Sequence, residues 1–101
     1  MLIREKDREA LLQIFSAAGL PFEVWAYGSR VDGSAHEGSD LDLVARTGDL
    51  KPLPHEAYAE LLEKIQDSNI PILVELRDWA LLPESFCRSI AQQHEVLYSN
   101  L

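Results

Sequence analysis

The reading of this chain turns on Gly28-Ser29-Arg30-Val31-Asp32-Gly33-Ser34-Ala35-His36-Glu37-Gly38-Ser39-Asp40-Leu41-Asp42. Ten residues, Arg30 to Ser39, part a Gly-Ser pair from an Asp-Leu-Asp triplet. Side chains alternate along a strand, so residues two apart point the same way. An extended Asp40 to Ala45 therefore puts Asp40 and Asp42 on one face and turns Leu41 and Leu43 toward the core. Neighbouring carboxylates repel each other unless a cation joins them. Mg²⁺ suits this task, because it takes oxygen ligands and is held by one or two carboxylates plus substrate phosphates. Gly28-Ser29 supplies the complementary half. Glycine lets the backbone approach a phosphate, and N–H groups with a hydroxyl cradle it. Together the halves read as a metal–nucleotide site.

The elements on either side are legible from periodicity. Phe22 to Tyr27 is aromatic and β-branched, reads as a strand, and ends at Gly28. Upstream, Arg4 to Ala18 carries Ala10, Leu11, Ile14, Phe15 and Ala18 at helical spacing, and Gly19 with Pro21 stops it. Ser29 to Ala35 opens with a short helical turn, and His36 to Ser39 is loop. Past the second strand comes a polar connection, Arg46 to Pro54. A helix over Glu56 to Asp67 follows, with Ala57, Tyr58, Leu61, Leu62 and Ile65 as its stripe. Ile72 to Arg77 reads as a third strand, with Leu73, Glu75 and Arg77 on one face and Val74 and Leu76 on the other. Pro83 suits the first turn of a last helix carrying Phe86, Cys87, Ile90 and Ala91, and Glu95 to Tyr98 is a short extended tail. This order predicts an α+β (α/β) fold, a small mixed β-sheet flanked by helices, as one domain over 1–101.

Composition narrows the class. The chain has 101 residues, 47% of them apolar, enough for one modest core. Its net charge of −8 argues against direct nucleic-acid binding, which needs a basic patch, and favours a cation or a basic partner. One cysteine, Cys87, excludes an intrachain disulfide and suits a reducing, cytoplasmic setting. The opening Met1 to Asp7 has no long apolar run, so neither a secretory signal nor a membrane span is expected.

Nucleotidyl transfer asks for charge neutralisation and in-line positioning rather than covalent chemistry by the protein. Two metal ions about 3.5–4 Å apart clamp attacking and leaving oxygens, which takes two carboxylates and usually a third. Asp40 and Asp42 supply two. Glu75 is the candidate third acid, since it interrupts an apolar strand and points away from Val74 and Leu76. A structural ion pair with Arg77, on the same face, is the other reading of Glu75.

The run Val24 to Ala35 leading into Gly38-Ser39-Asp40-Leu41-Asp42-Leu43-Val44 resembles the signature of the minimal nucleotidyltransferases, small relatives of the DNA polymerase β superfamily. Pro71-Ile72-Leu73-Val74-Glu75-Leu76-Arg77-Asp78-Trp79 looks like that family's third-acid strand and the aspartate-tryptophan turn after it. The resemblance spans Phe22 to Tyr98. It implies a nucleotidyltransferase fold and a Mg²⁺- or Mn²⁺-dependent enzyme that places AMP from ATP on an acceptor. Asp40, Asp42 and Glu75 would be the catalytic, metal-binding acids, with Glu75 near the attacking hydroxyl. Gly28, Ser29 and Arg30 would bind the nucleotide. The family's missing acceptor domain implies a separate helical partner, often of the HEPN class, with the nucleotidyltransferase serving as antitoxin and modifying the toxin. Relatives usually carry aspartate where this chain has Glu75. One extra methylene shifts a carboxylate by about 1 Å, and that displacement can cost ~10²-fold in rate. A catalytically degenerate module that neutralises or assists a helical partner by binding alone is thus the alternative.

The remaining residues read as structural. Asp78, three past Glu75, suits a turn or helix start. His36, His55 and His94 lack metal-ligand spacing. Trp25, Tyr27 and Trp79 read as core or interface anchors, and Cys87 as a core residue.

Overall fold

In the computed structural model, residues 1–36 and 38–101 are described. The elements run α1 (Glu5–Ser16), β1 (Phe22–Tyr27), α2 (Ser29–Asp32), β2 (Leu41–Thr47) and α3 (His55–Gln66). They continue with β3 (Val74–Asp78), a single 3₁₀ turn (Trp79–Leu81), α4 (Glu84–Gln92) and β4 (Glu95–Ser99). The extended tail expected at Glu95 is a fourth strand, paired antiparallel with β1. The sheet order is β3-β2-β1-β4. β1 and β2 are antiparallel, and β2 and β3 are parallel, joined through α3, so the sheet is mixed as expected.

Strand alternation divides the sheet into two unlike faces. Val24 and Ala26 of β1, Leu41, Leu43 and Ala45 of β2, Leu76 of β3 and Leu97 of β4 turn one way. They meet Leu11 and Phe15 of α1 and Leu61 and Ile65 of α3 in one continuous core. Phe22 packs edge-on against Phe15, ring centres 6.1 Å apart, which locks α1 across β1. Asp7, buried in the first turn of α1, accepts from the Arg4 Nε and Nη2 at 2.9 and 3.0 Å and so carries no unpaired charge.

On the other face, Tyr27 and Val44 pack with Ile90 of α4, flanked by Trp25, Trp79 and Leu82. The Arg46 guanidinium lies 4.0 Å from the Trp25 ring centre and 4.4 Å from that of Trp79, and pairs with Glu23. Trp25 also stacks on His94 at 3.7 Å, so both tryptophans are structural anchors. Because α4 covers only part of this face, the end of the sheet holding Asp42 and Glu75 is left accessible.

Element bounds differ from the sequence reading in instructive places. β2 begins at Leu41, so Asp40 precedes the strand and is exposed. It extends to Thr47, taking Arg46 into the sheet. β3 begins at Val74, leaving Leu73 outside it and exposed. Pro83 stands at the N-cap of α4, one residue before its first turn. Leu62, expected in the stripe of α3, is exposed, and Ile90 is the one buried residue of α4. Part of the expected 36–39 loop, residue 37, lies outside the described residues.

Candidate active site

The parallel register of β2 and β3 sets Asp42 directly beside Glu75, and the antiparallel register of β1 and β2 sets Tyr27 on its other side. Strand parity points all three side chains, with Arg77, to the α4 face. Neither carboxylate is fully buried: the Asp42 side chain is 26% exposed and that of Glu75 39%. Burial raises the Asp42 carboxyl above its ordinary value, and the charges of Glu75 and Asp40 add to this while Arg77 opposes it.

Gly28 ends β1 beside this pair. Its backbone sits at φ 80°, ψ −156°, a region essentially closed to residues with a Cβ. A Cβ built there would stand 2.6 Å from Asp42 Oδ2. The chain needs glycine at this point for two independent reasons, the conformation and the closeness of a carboxylate. Ser29 then opens α2, half-buried at the same edge. Gly28, Ser29, Asp42 and Glu75 are therefore brought together by three adjacent strands.

Asp40 and Arg30 are placed differently. Asp40 lies in the loop before β2, and among the described residues no three His, Cys, Asp or Glu side chains converge into a metal-holding set. Its loop is held from both sides. The Leu41 N–H donates to the Leu73 carbonyl at 2.9 Å, and Arg30 Nε and Nη2 donate to the Ser39 carbonyl at 3.0 and 2.7 Å. Arg30 Nη1 donates to the Leu2 carbonyl at 2.5 Å. Arg30 is buried, and its guanidinium ties α2 to the aspartate loop and to the N-terminal segment. The sequence left Arg30 open between a surface salt bridge and a phosphate contact; among its contacts in the fold are these two main-chain carbonyls, which a five-donor fork satisfies well.

Two further residues belong to the site. Arg77 Nη2 lies 3.0 Å from Glu75 Oε2, and its Nη1 lies 3.7 Å from Asp42 Oδ1. Nη1 also donates to the Tyr27 hydroxyl at 3.1 Å. Burial raises the Tyr27 phenol above its ordinary value, with the Arg77 hydrogen bond opposing. The ion pair with Arg77 considered for Glu75 is present. The contacts to Asp42 and Tyr27 were not legible, because they depend on strand order and register; Tyr27 standing next to Gly28 was the only local hint. Asp78, by contrast, does what a turn residue should. It is buried and accepts from the Leu53 N–H at 2.9 Å and the Ala80 N–H at 3.1 Å.

The donor set suits a hard divalent cation. It offers carboxylate oxygens and no thiolate or imidazole, and the bare Gly28 backbone leaves the Asp42 carboxylate uncovered on that side. No helix among the described residues is long and apolar enough to cross a membrane.

Comparison with known proteins agrees with this geometry. Residues 9–100 match the family described as Polymerase beta, Nucleotidyltransferase. Over 76 residues the chain is 40% identical to the Haemophilus influenzae protein named "Probable protein adenylyltransferase MntA". That match covers 75% of this chain and 65% of the relative, a little under two thirds of its length. Among solved structures, a toxin–antitoxin complex with AMP-PNP contains a chain with a TM-score of 0.72 at 20% identity, covering 92% of this chain and 73% of that one. A tri-AMPylated Shewanella oneidensis HEPN toxin in complex with an MNT antitoxin gives a TM-score of 0.68 at 16% identity, over 97% and 74% of the two chains. These structural likenesses establish the fold. The family match runs through all four strands and the Gly28–Asp42–Glu75 cluster, and the chain belongs to the polymerase beta nucleotidyltransferase family.

Proposed function

We propose that this chain is a Mg²⁺-dependent adenylyltransferase that moves AMP from ATP to a hydroxyl of a protein acceptor, a helical HEPN-type toxin, and so acts as an antitoxin. The observation that carries the reading is the registered pair Asp42–Glu75 with the obligatory glycine Gly28 against it. The kinship with an adenylyltransferase, and the recurrence of the fold in complexes with AMP-PNP and with an AMPylated toxin, supports the nucleotide and the partner.

Asp42 and Glu75, with Asp40 from its loop, would hold Mg²⁺ or Mn²⁺, which when bound neutralises the triphosphate and aligns attacking and leaving oxygens. Gly28 and Ser29 would bind the triphosphate tail through main-chain N–H groups and the Ser29 hydroxyl. The acceptor oxygen attacks the α-phosphorus, pyrophosphate leaves, and the acceptor's proton passes to the Glu75 carboxylate. Arg30 serves this site by positioning: its hydrogen bonds to the Ser39 carbonyl fix the residue before Asp40. In this reading the helical partner supplies the acceptor hydroxyl. The setting is the cytoplasm, where such a pair and its ATP would meet.

The test is transfer of label from α-labelled ATP, with Mg²⁺, to a helical HEPN-type protein supplied as acceptor. Wild type should label it, Glu75→Gln should lose roughly 10²–10⁴-fold, and Glu75→Asp should keep or raise the rate. If wild type transfers nothing yet still neutralises its partner, the protein is a binding module and the enzymatic reading is wrong. If Glu75→Gln transfers at the wild-type rate and costs only about 0–1 kcal/mol of stability, Glu75 is an ion-pair residue alone.

A further inference from the structure

We propose that Arg77 is the resident counter-cation of this site: its guanidinium neutralises the acid pair in the metal-free protein, opposes a divalent cation that binds there, and thereby sets the site's metal affinity. This rests on the proposed role of Asp42 and Glu75 as metal ligands.

The argument begins with what lies opposite Arg77. Its cross-strand partner on β2 is Val44, which is apolar and fully buried and offers the charge nothing. The side chain turns back along β3 by one same-face step, to the Asp42–Glu75 pair. There it meets Glu75 Oε2 at 3.0 Å and Asp42 Oδ1 at 3.7 Å. Its Nη1 is also hydrogen-bonded to the Tyr27 hydroxyl at 3.1 Å. One guanidinium thus bridges β1, β2 and β3 at the point where two carboxylates stand side by side. Without it, the registered pair would face each other with like charge and only partial solvation.

A divalent cation brought to Asp42 Oδ2, the oxygen on the Gly28 side that Arg77 does not touch, meets the guanidinium's positive charge across the same two carboxylates, and the two cations compete for that negative charge. The carboxylates are partly exposed, and exposed ion pairs are weak, so the hold is one that a dication carrying a triphosphate can break. Tyr27 gives the arm a neutral contact when the carboxylates are taken. Arg77 is therefore a positioning residue. It keeps the two acids in register before the metal arrives, and it competes with the metal for them.

The experiment is Mn²⁺ binding, by calorimetry and by the paramagnetic signal of free Mn²⁺, to the full chain as wild type, Arg77→Gln, Arg77→Lys and Asp42→Asn. Melting temperature is followed for each in chelator and in excess Mn²⁺. Arg77→Gln should bind Mn²⁺ roughly 3–10-fold tighter than wild type, the equivalent of one exposed ion pair released. It should also melt lower in chelator and gain more from Mn²⁺ than wild type does. Arg77→Lys, which keeps the charge and loses the fork's reach, should fall between, and it decides the question if Arg77→Gln does not fold. Mn²⁺ affinity equal to or weaker than wild type in the Arg77 variants, with Asp42→Asn clearly weakened, overturns this inference and leaves the metal site standing. If Asp42→Asn binds as wild type does, the metal-site reading fails and this inference falls with it.

Discussion

Gly28→Ala is the sharpest single test of the site's geometry. The substituted residue would have to hold φ 80°, ψ −156°, where a non-glycine residue costs about 1–3 kcal/mol. Its Cβ would also stand 2.6 Å from Asp42 Oδ2, inside any real contact distance, so the carboxylate must rotate away. Rotation gives up the 3.7 Å approach to Arg77, a further ~0.5–1 kcal/mol for a partly exposed pair. The sum is about 1.5–4 kcal/mol. For a domain of this size, with roughly 4–8 °C per kcal/mol, it lowers the melting temperature by roughly 6–30 °C. Thermal unfolding followed by circular dichroism, in chelator so that no metal contributes, measures it directly. A cycle with Asp42→Ala separates the two causes: removing the carboxylate abolishes the collision and leaves the backbone strain, so the double variant should show favourable coupling. A Gly28→Ala protein melting within about 2 °C of wild type would mean that β1 does not end as described and that Gly28 does not abut Asp42.

The other expectations are simpler. Asp42 has its folded-state carboxyl raised, chiefly by burial and then by Glu75, so its ionisation is costlier in the folded protein than in the unfolded chain. Stability is therefore lost as pH rises from the ordinary carboxylate range through the raised value. Metal-free Asp42→Asn should match or exceed the wild-type melting temperature at neutral pH, by up to about 4 °C, with the difference fading in acid. A clearly lower neutral-pH melting point would make Asp42 structural. Arg30→Met should cost about 1–3 kcal/mol by urea titration, because the partly buried carbonyls of Ser39 and Leu2 lose charged donors. An Arg30→Met protein of wild-type stability that binds ATP poorly would restore the phosphate-contact role instead.

Much of this molecule was decided locally. The β-branched and aromatic run Phe22–Tyr27 became a strand with those bounds, and the stripes through Leu11 and Phe15 and through Leu61 and Ile65 became the buried faces of α1 and α3. The Gly28-Ser29 and Asp40-Leu41-Asp42 spacing announced a site because strand parity and glycine's freedom are properties of a few consecutive residues. Tertiary structure decided the rest. That Glu75 stands beside Asp42 depends on β3 lying parallel to β2 in one register, a pairing between strands more than thirty residues apart that no local pattern records. In sequence Arg30 read as a nucleotide contact or a surface salt bridge, and Arg77 as an ion-pair partner of Glu75. Only the fold sends Arg30 inward to main-chain carbonyls and Arg77 across three strands to the acids. A long, many-donor side chain takes whichever acceptors the assembled backbone brings within reach, and no local pattern records which those are.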